Sequence, residues 1–73
     1  MDAATAGVSV GDKFSCEEFR KRSDMERILE VRSTSEAEEA AWCQNTISGR
    51  MSLISYDRLN NPKLFKRLPK EAA

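Results

Sequence analysis

The spacing of apolar and polar positions divides the chain into short patterned stretches separated by turn signals. In "VSVGDKF", residues 8–14, apolar and small residues alternate ahead of a Gly-Asp turn, which predicts a short edge strand or an extended lead-in. At Ser15 the signals change to those of a helix start. Ser15 suits an N-cap, Glu18 completes a capping box three residues on, and Phe14 and Phe19 occupy the two positions of a hydrophobic staple. A helix is therefore expected from Ser15 to about Arg22, where Ser23 and Asp24 interrupt it. Ser23 with Glu26 repeats the capping-box spacing.

In "RILEVRSTS" Leu29 and Val31 alternate with Glu30 and Arg32, and Ile28 adds a β-branched residue, so a strand is expected. Ser35 and Glu38 form a third capping box. It opens "EAEEAAWCQN", where Ala37, Ala40, Ala41 and Gln44 share a helical face. Asn45 to Gly49 reads as the stop. "MSLISY" is then strand-like, with Met51, Leu53 and Ser55 on one side and Ser52, Ile54 and Tyr56 on the other. Large apolar groups on both sides predict an inner strand. A strand, a helix of about ten residues and a second strand form a βαβ unit, which makes the strands parallel with a right-handed crossover. "NNP" at 60–62 marks a turn, after which Leu64, Phe65 and Leu68 share one face of a helical turn or two. The expected fold is a small single α+β domain over residues 1–73, ordered β-α-β-α-β and containing the βαβ unit. Residues 1–7 are expected to form a frayed N-terminus and residues 60–73 a basic C-terminal turn or tail.

Size and composition narrow the function classes. A domain of 73 residues buries only roughly 60% of the surface of its unfolded chain, too little for a large enclosed active site. Hydrophobic residues make up 40% and charged residues 33%, a globular composition with a lean core. No run approaches the roughly 18 apolar residues of a membrane span, and the opening lacks a basic n-region, so a cytoplasmic location is expected. With no histidine and two cysteines, a four-ligand zinc site cannot be built within one chain. The same lack removes the Ser-His and Cys-His nucleophile pairs, and no Walker or Rossmann pattern occurs. No catalytic residue, cofactor or metal is expected, and the chain reads as a non-enzyme.

The net charge of zero hides a polarity along the chain. Residues 24–49 hold six acids against two bases, a balance of −4, and residues 50–73 hold six bases against two acids, a balance of +4. Such a split suits either a basic end that seeks an anionic partner or two parts of one fold that attract each other. Cys16 would sit inside the first turn of the first helix, an environment that favours a thiolate, but Glu17 and Glu18 oppose one. Glu36, Glu38 and Glu39 are explained by a helix start rather than a carboxylate site. A parallel sheet of few strands leaves edges and one face uncovered, which is a physical reason to expect a partner. The expected function is that of a protein-interaction module, such as a small subunit, adaptor or inhibitor. It would bind a larger protein, or further copies of itself, through a sheet edge and the C-terminal segment. The candidate partner-binding residues are Trp42, Tyr56, Phe65 and Leu68 as apolar anchors and Arg58, Lys63, Lys66 and Arg67 as steering charges. The alternative is a nucleic-acid-binding domain that uses the bases of residues 50–70.

Overall fold

The alternating run from Ile28 folds as its spacing predicts, and the sheet is built outward from it. In the computed structural model, which describes residues 2–19, 23 and 25–69, the elements are α1 (Ala3–Ala6), β1 (Lys13–Cys16), β2 (Ile28–Ser35), β3 (Ala40–Asn45), β4 (Met51–Ser55), α2 (Tyr56–Leu59) and β5 (Phe65–Arg67). Two 3₁₀ turns, Glu17–Phe19 and Met25–Arg27, lie between β1 and β2. The five strands lie in the order β4-β3-β2-β1-β5, and every neighbouring pair is antiparallel. The class is α+β. The order agrees in part with the expected one, but the parallel βαβ unit is replaced by a meander whose last strand returns beside the first.

Three stretches read as helical contribute strands. Ser15 pairs with Ile28 on one side and Lys66 on the other, so Phe14 and Cys16 belong to the buried face of β1 rather than to a helix start. The helical reading extended to residues 20–22, which lie outside the described residues, as does the side chain of Phe19. The second capping box has a different fate. Ser23 Oγ accepts the Glu26 N–H at 3.4 Å and a Glu26 carboxylate oxygen accepts the Ser23 N–H at 3.2 Å, a reciprocal cap ahead of one 3₁₀ turn. The third is used in one direction: Ser35 Oγ accepts the Glu38 N–H at 3.3 Å, but the chain turns once and leaves through Glu39 at φ +50.

Residues 40–45 then pair on both sides, with β2 and with β4. Tertiary pairing overrides helix propensity here. As a strand, the segment buries Ala41 and Cys43 beside Val31 and Ile54, and it pairs without interruption with β4 and, across a register shift between Val31 and Ser33, with β2. As a helix it would have buried little beyond alanine methyls. The Asn45–Gly49 signal also survives in another setting. Asn45 Oδ1 accepts the N–H groups of Ile47 and Ser48, each at 2.9 Å, and Gly49 takes φ +76, closing the β3–β4 hairpin instead of ending a helix. The last expected helix is β5, in which Phe65 points inward and Lys66 outward.

One face of the sheet carries the core. Phe14, Cys16, Leu29, Val31, Ala41, Cys43, Ile54 and Phe65 meet Tyr56 and Leu59 of α2 and Ala6 and Val8 of the N-terminal segment. That segment was expected to fray. Instead Asp2 caps α1 by accepting the Thr5 N–H at 2.8 Å, and Gly7 ends it at φ +73.

Four elements are tied together at one corner of this cover. Asp12 is 4% exposed, and its Oδ2 accepts the Ser9 N–H at 2.9 Å and Arg67 Nη1 at 3.2 Å. The Arg67 guanidinium lies 4.8 Å from the centre of the Phe14 ring and donates through Nη2 to Asn60 Oδ1 at 3.3 Å. Asn60 Nδ2 in turn donates to the carbonyl of Ala6 at 3.0 Å. Removing Arg67 would take a charged hydrogen-bond donor from a buried carboxylate and uncover Phe14, whereas the outer side of the pair is open to water. Arg67→Ala should therefore cost about 2 kcal/mol, read from the urea midpoint, and Arg67→Lys should recover only part of it because an ammonium cannot serve both oxygens while stacking. Tyr56 behaves in the opposite way: its hydroxyl is buried and finds no hydrogen-bond partner among the described residues. Tyr56→Phe should be neutral or stabilising by up to about 1 kcal/mol, and a loss of more than that would reveal a hidden partner.

Candidate functional site

The sheet has one covered face and one bare one, and alternation along each strand decides which residues stand on the bare one. Lys13, Glu30, Gln44 and Met51 form one row across it, and Ser33, Trp42 and Leu53 form another. Trp42 is 42% exposed, Met51 44% and Leu53 39%, which makes them the large apolar groups of this face at its β4 end. Trp42 and Leu53 are directly opposite in the β3–β4 ladder, and Met51 lies diagonal to Trp42. Ile47, 58% exposed, lies in the adjoining hairpin turn.

The backbone of β4 adds to this patch. The Asn45 N–H bonds the Arg50 carbonyl at 2.9 Å and the Tyr56 N–H bonds the Glu39 carbonyl at 3.0 Å, one at each end of the ladder. In an antiparallel pair the bonded residues alternate, so Ser52 and Ile54 turn their N–H and C=O groups toward β3, while Met51, Leu53 and Ser55 turn theirs outward. No further strand lies beyond β4 among the described residues. The residues that show their side chains on the bare face thus include those that show their backbone at the edge. "MSLISY" was read as an inner strand because both its sides carry apolar groups. It is an edge strand, and the exposure of Met51 and Leu53 follows from the bare face that they share with Trp42 of the inner strand β3.

The other expected partner-binding residues are scattered. Tyr56 and Phe65 are core residues, closed off from any partner by the fold itself. Arg58 donates to a Glu18 carboxylate oxygen at 2.9 Å and stands 6.0 Å from the Phe65 ring centre, and Arg67 is held by Asp12 and Asn60. Lys63 and Lys66 are exposed, Leu68 is half-buried, and Lys70 lies outside the described residues. Of the two readings of the charge polarity, the fold uses a third arrangement: its C-terminal bases Arg58 and Arg67 pair with acids at 18 and 12, ahead of the acidic stretch.

Both cysteines are buried and unbridged. Cys16 sits on the core face of β1, so the helix terminus that would have favoured its thiolate is not there. Among the described residues no cluster of cysteine and carboxylate side chains is placed to hold a metal ion, and no helix is long and apolar enough to cross a membrane. Glu36, Glu38 and Glu39 are exposed in the β2–β3 turn. Sequence reasoning had singled out Trp42 but not Met51 or Leu53. Their spacing was visible; which side of the strand lacks a neighbour is a property of the sheet. No family model matches the chain, and no curated protein or solved structure matches it.

Burial pushes the Cys43 thiol from 9.0 up to about 11. Between these values the unfolded chain loses the proton that the folded chain keeps, so folding stability declines as pH rises through this window. The Cys43 contribution to that decline should be on the order of 2 kcal/mol. Urea titrations at pH 8 and pH 10.5 should show a steeper fall for the wild type than for Cys43→Ala; parallel falls would remove the thiol from the account.

Proposed function

We propose that this chain is a non-enzymatic protein-interaction module that receives its protein partner along the β4 edge by strand addition. The observation that carries this reading is the contrast between the two ends of the sheet. The β5 edge is guarded: it is three residues long, two of them are Lys66 and Arg67, and Pro69 follows closely. The β4 edge has five residues with no charge, no proline and no bulge in its pairing with β3. An edge of that kind, with outward backbone groups on Met51, Leu53 and Ser55, is a template for another strand. Trp42, Met51 and Leu53 supply the apolar contacts beside it.

This moves the expected contact surface from the C-terminal segment to the opposite end of the sheet. Arg58 and Arg67 are engaged within the fold, which weakens the basic segment as a steering surface and weakens the nucleic-acid reading with it. A tagged chain used as bait in extract from its native source, treated with nuclease, tests the proposal. A bound protein should be retained by the wild type and by Lys63→Glu/Lys66→Glu. It should be lost by at least about tenfold with Leu53→Lys and weakened with Trp42→Ala. Retention by Leu53→Lys with loss in the double lysine variant would overturn it.

A further inference from the structure

The geometry points to a second copy of this chain as the occupant of the β4 edge, in a two-fold dimer whose β4 strands pair antiparallel about Leu53. This deepens the edge reading above and rests on it. The first argument is register. In an antiparallel pair the opposed residues share a face, so a two-fold pairing that keeps the bare faces together must oppose residues of equal parity. Centred on Leu53, it places Leu53 opposite its own counterpart and Met51 opposite Ser55. These are the residues whose N–H and C=O groups point outward. All the outward backbone groups of the strand are then answered by the same groups of the copy, and the bare-face side chains at 51, 53 and 55 of one copy lie beside those of the other.

The second argument is charge. Arg50 precedes the strand and Asp57 follows it, both exposed, and neither enters an ion pair within the described residues. A strand with an apolar centre, a cation just before its start and an anion two residues past its end, in the first turn of α2, is self-complementary only when its copy runs antiparallel. Each Arg50 then lies at the end where the other copy carries Asp57. The third argument is the bare face. The two Leu53 side chains meet at the axis, each flanked by its own Trp42 across the β3–β4 ladder, so two half-exposed patches become one continuous strip. With five residues on each side, the pairing is of the small, reversible kind.

Sedimentation equilibrium and a disulfide trap test this together. The wild type should move with rising concentration toward twice the 8.2 kDa mass of one chain, while Leu53→Lys should stay at the monomer mass. Opposed residues of this type have Cα atoms about 5.5 Å apart, within disulfide range. Leu53→Cys should therefore oxidise to a linked dimer, whereas Val10→Cys, exposed and away from this edge, should not. The native cysteines are buried and should not interfere. A wild type that stays monomeric with no linkage through Leu53→Cys overturns the self-pairing. So does a dimer that Leu53→Lys leaves intact. In the first case, capture of another protein that is still lost with Leu53→Lys leaves the edge reading standing, and capture unaffected by Leu53→Lys removes both.

Discussion

The Asp12–Arg67 pair is the constraint on which the rest of this small fold depends. A sheet with one apolar face and 73 residues to work with must cover that face with very short pieces, here two four-residue helices, α1 ahead of β1 and α2 between β4 and β5, and one extended lead-in. None of these is long enough to hold itself in place. Arg67 joins them: its guanidinium lies on the Phe14 ring, one nitrogen on the carboxylate of Asp12 and the other on Asn60, which reaches back to the carbonyl of Ala6. Asp12 is also part of the sheet, since its carbonyl accepts the Val31 N–H at 2.8 Å. The charge is buried where it can bond several backbone and side-chain groups, and so it orders the corner rather than simply adding attraction.

That corner also explains why the two ends of the sheet differ. Around β5 the cover, the ion pair and the flanking lysine and proline leave no strand-like template. At β4 the chain has no spare length to protect the edge, because α2 begins at once with Tyr56 and turns onto the core face. The bare apolar row of Trp42 and Leu53 and the free backbone of Met51, Leu53 and Ser55 therefore coincide on one edge. The proposed protein contact and the proposed pairing of copies both follow from that coincidence, not from any catalytic arrangement of side chains.

Much of the local chemistry was legible, but its setting was not. Ser23 with Glu26, Ser35 with Glu38 and the Asn45–Gly49 stop all make the bonds that their spacing predicts. A side-chain cap fixes one turn, and one turn serves a helix or a hairpin equally well. Whether a helix continues depends on the gain from the next residues, and for Ala40–Asn45 that gain lay in pairing with two flanking strands. Of the candidate site, Trp42 was legible as an aromatic group off the alanine stripe. Tyr56 and Phe65 were misplaced because a large aromatic residue in a lean domain is drawn to the core wherever the topology allows.

Residue type and local spacing were enough for the α+β class, the β2 strand, the positions of most turns, and the shortage of groups needed for metal or histidine chemistry. These depend on residue type and on spacing within a few neighbours, which the chain carries wherever it goes. Long-range contacts settle that residues 40–45 pair as a strand, that Arg67 closes on Asp12, and that β4 lies at the margin of the sheet instead of inside it. Each of these is a contact between residues far apart in the chain, set by competition for one small buried face, and no local pattern records who wins it.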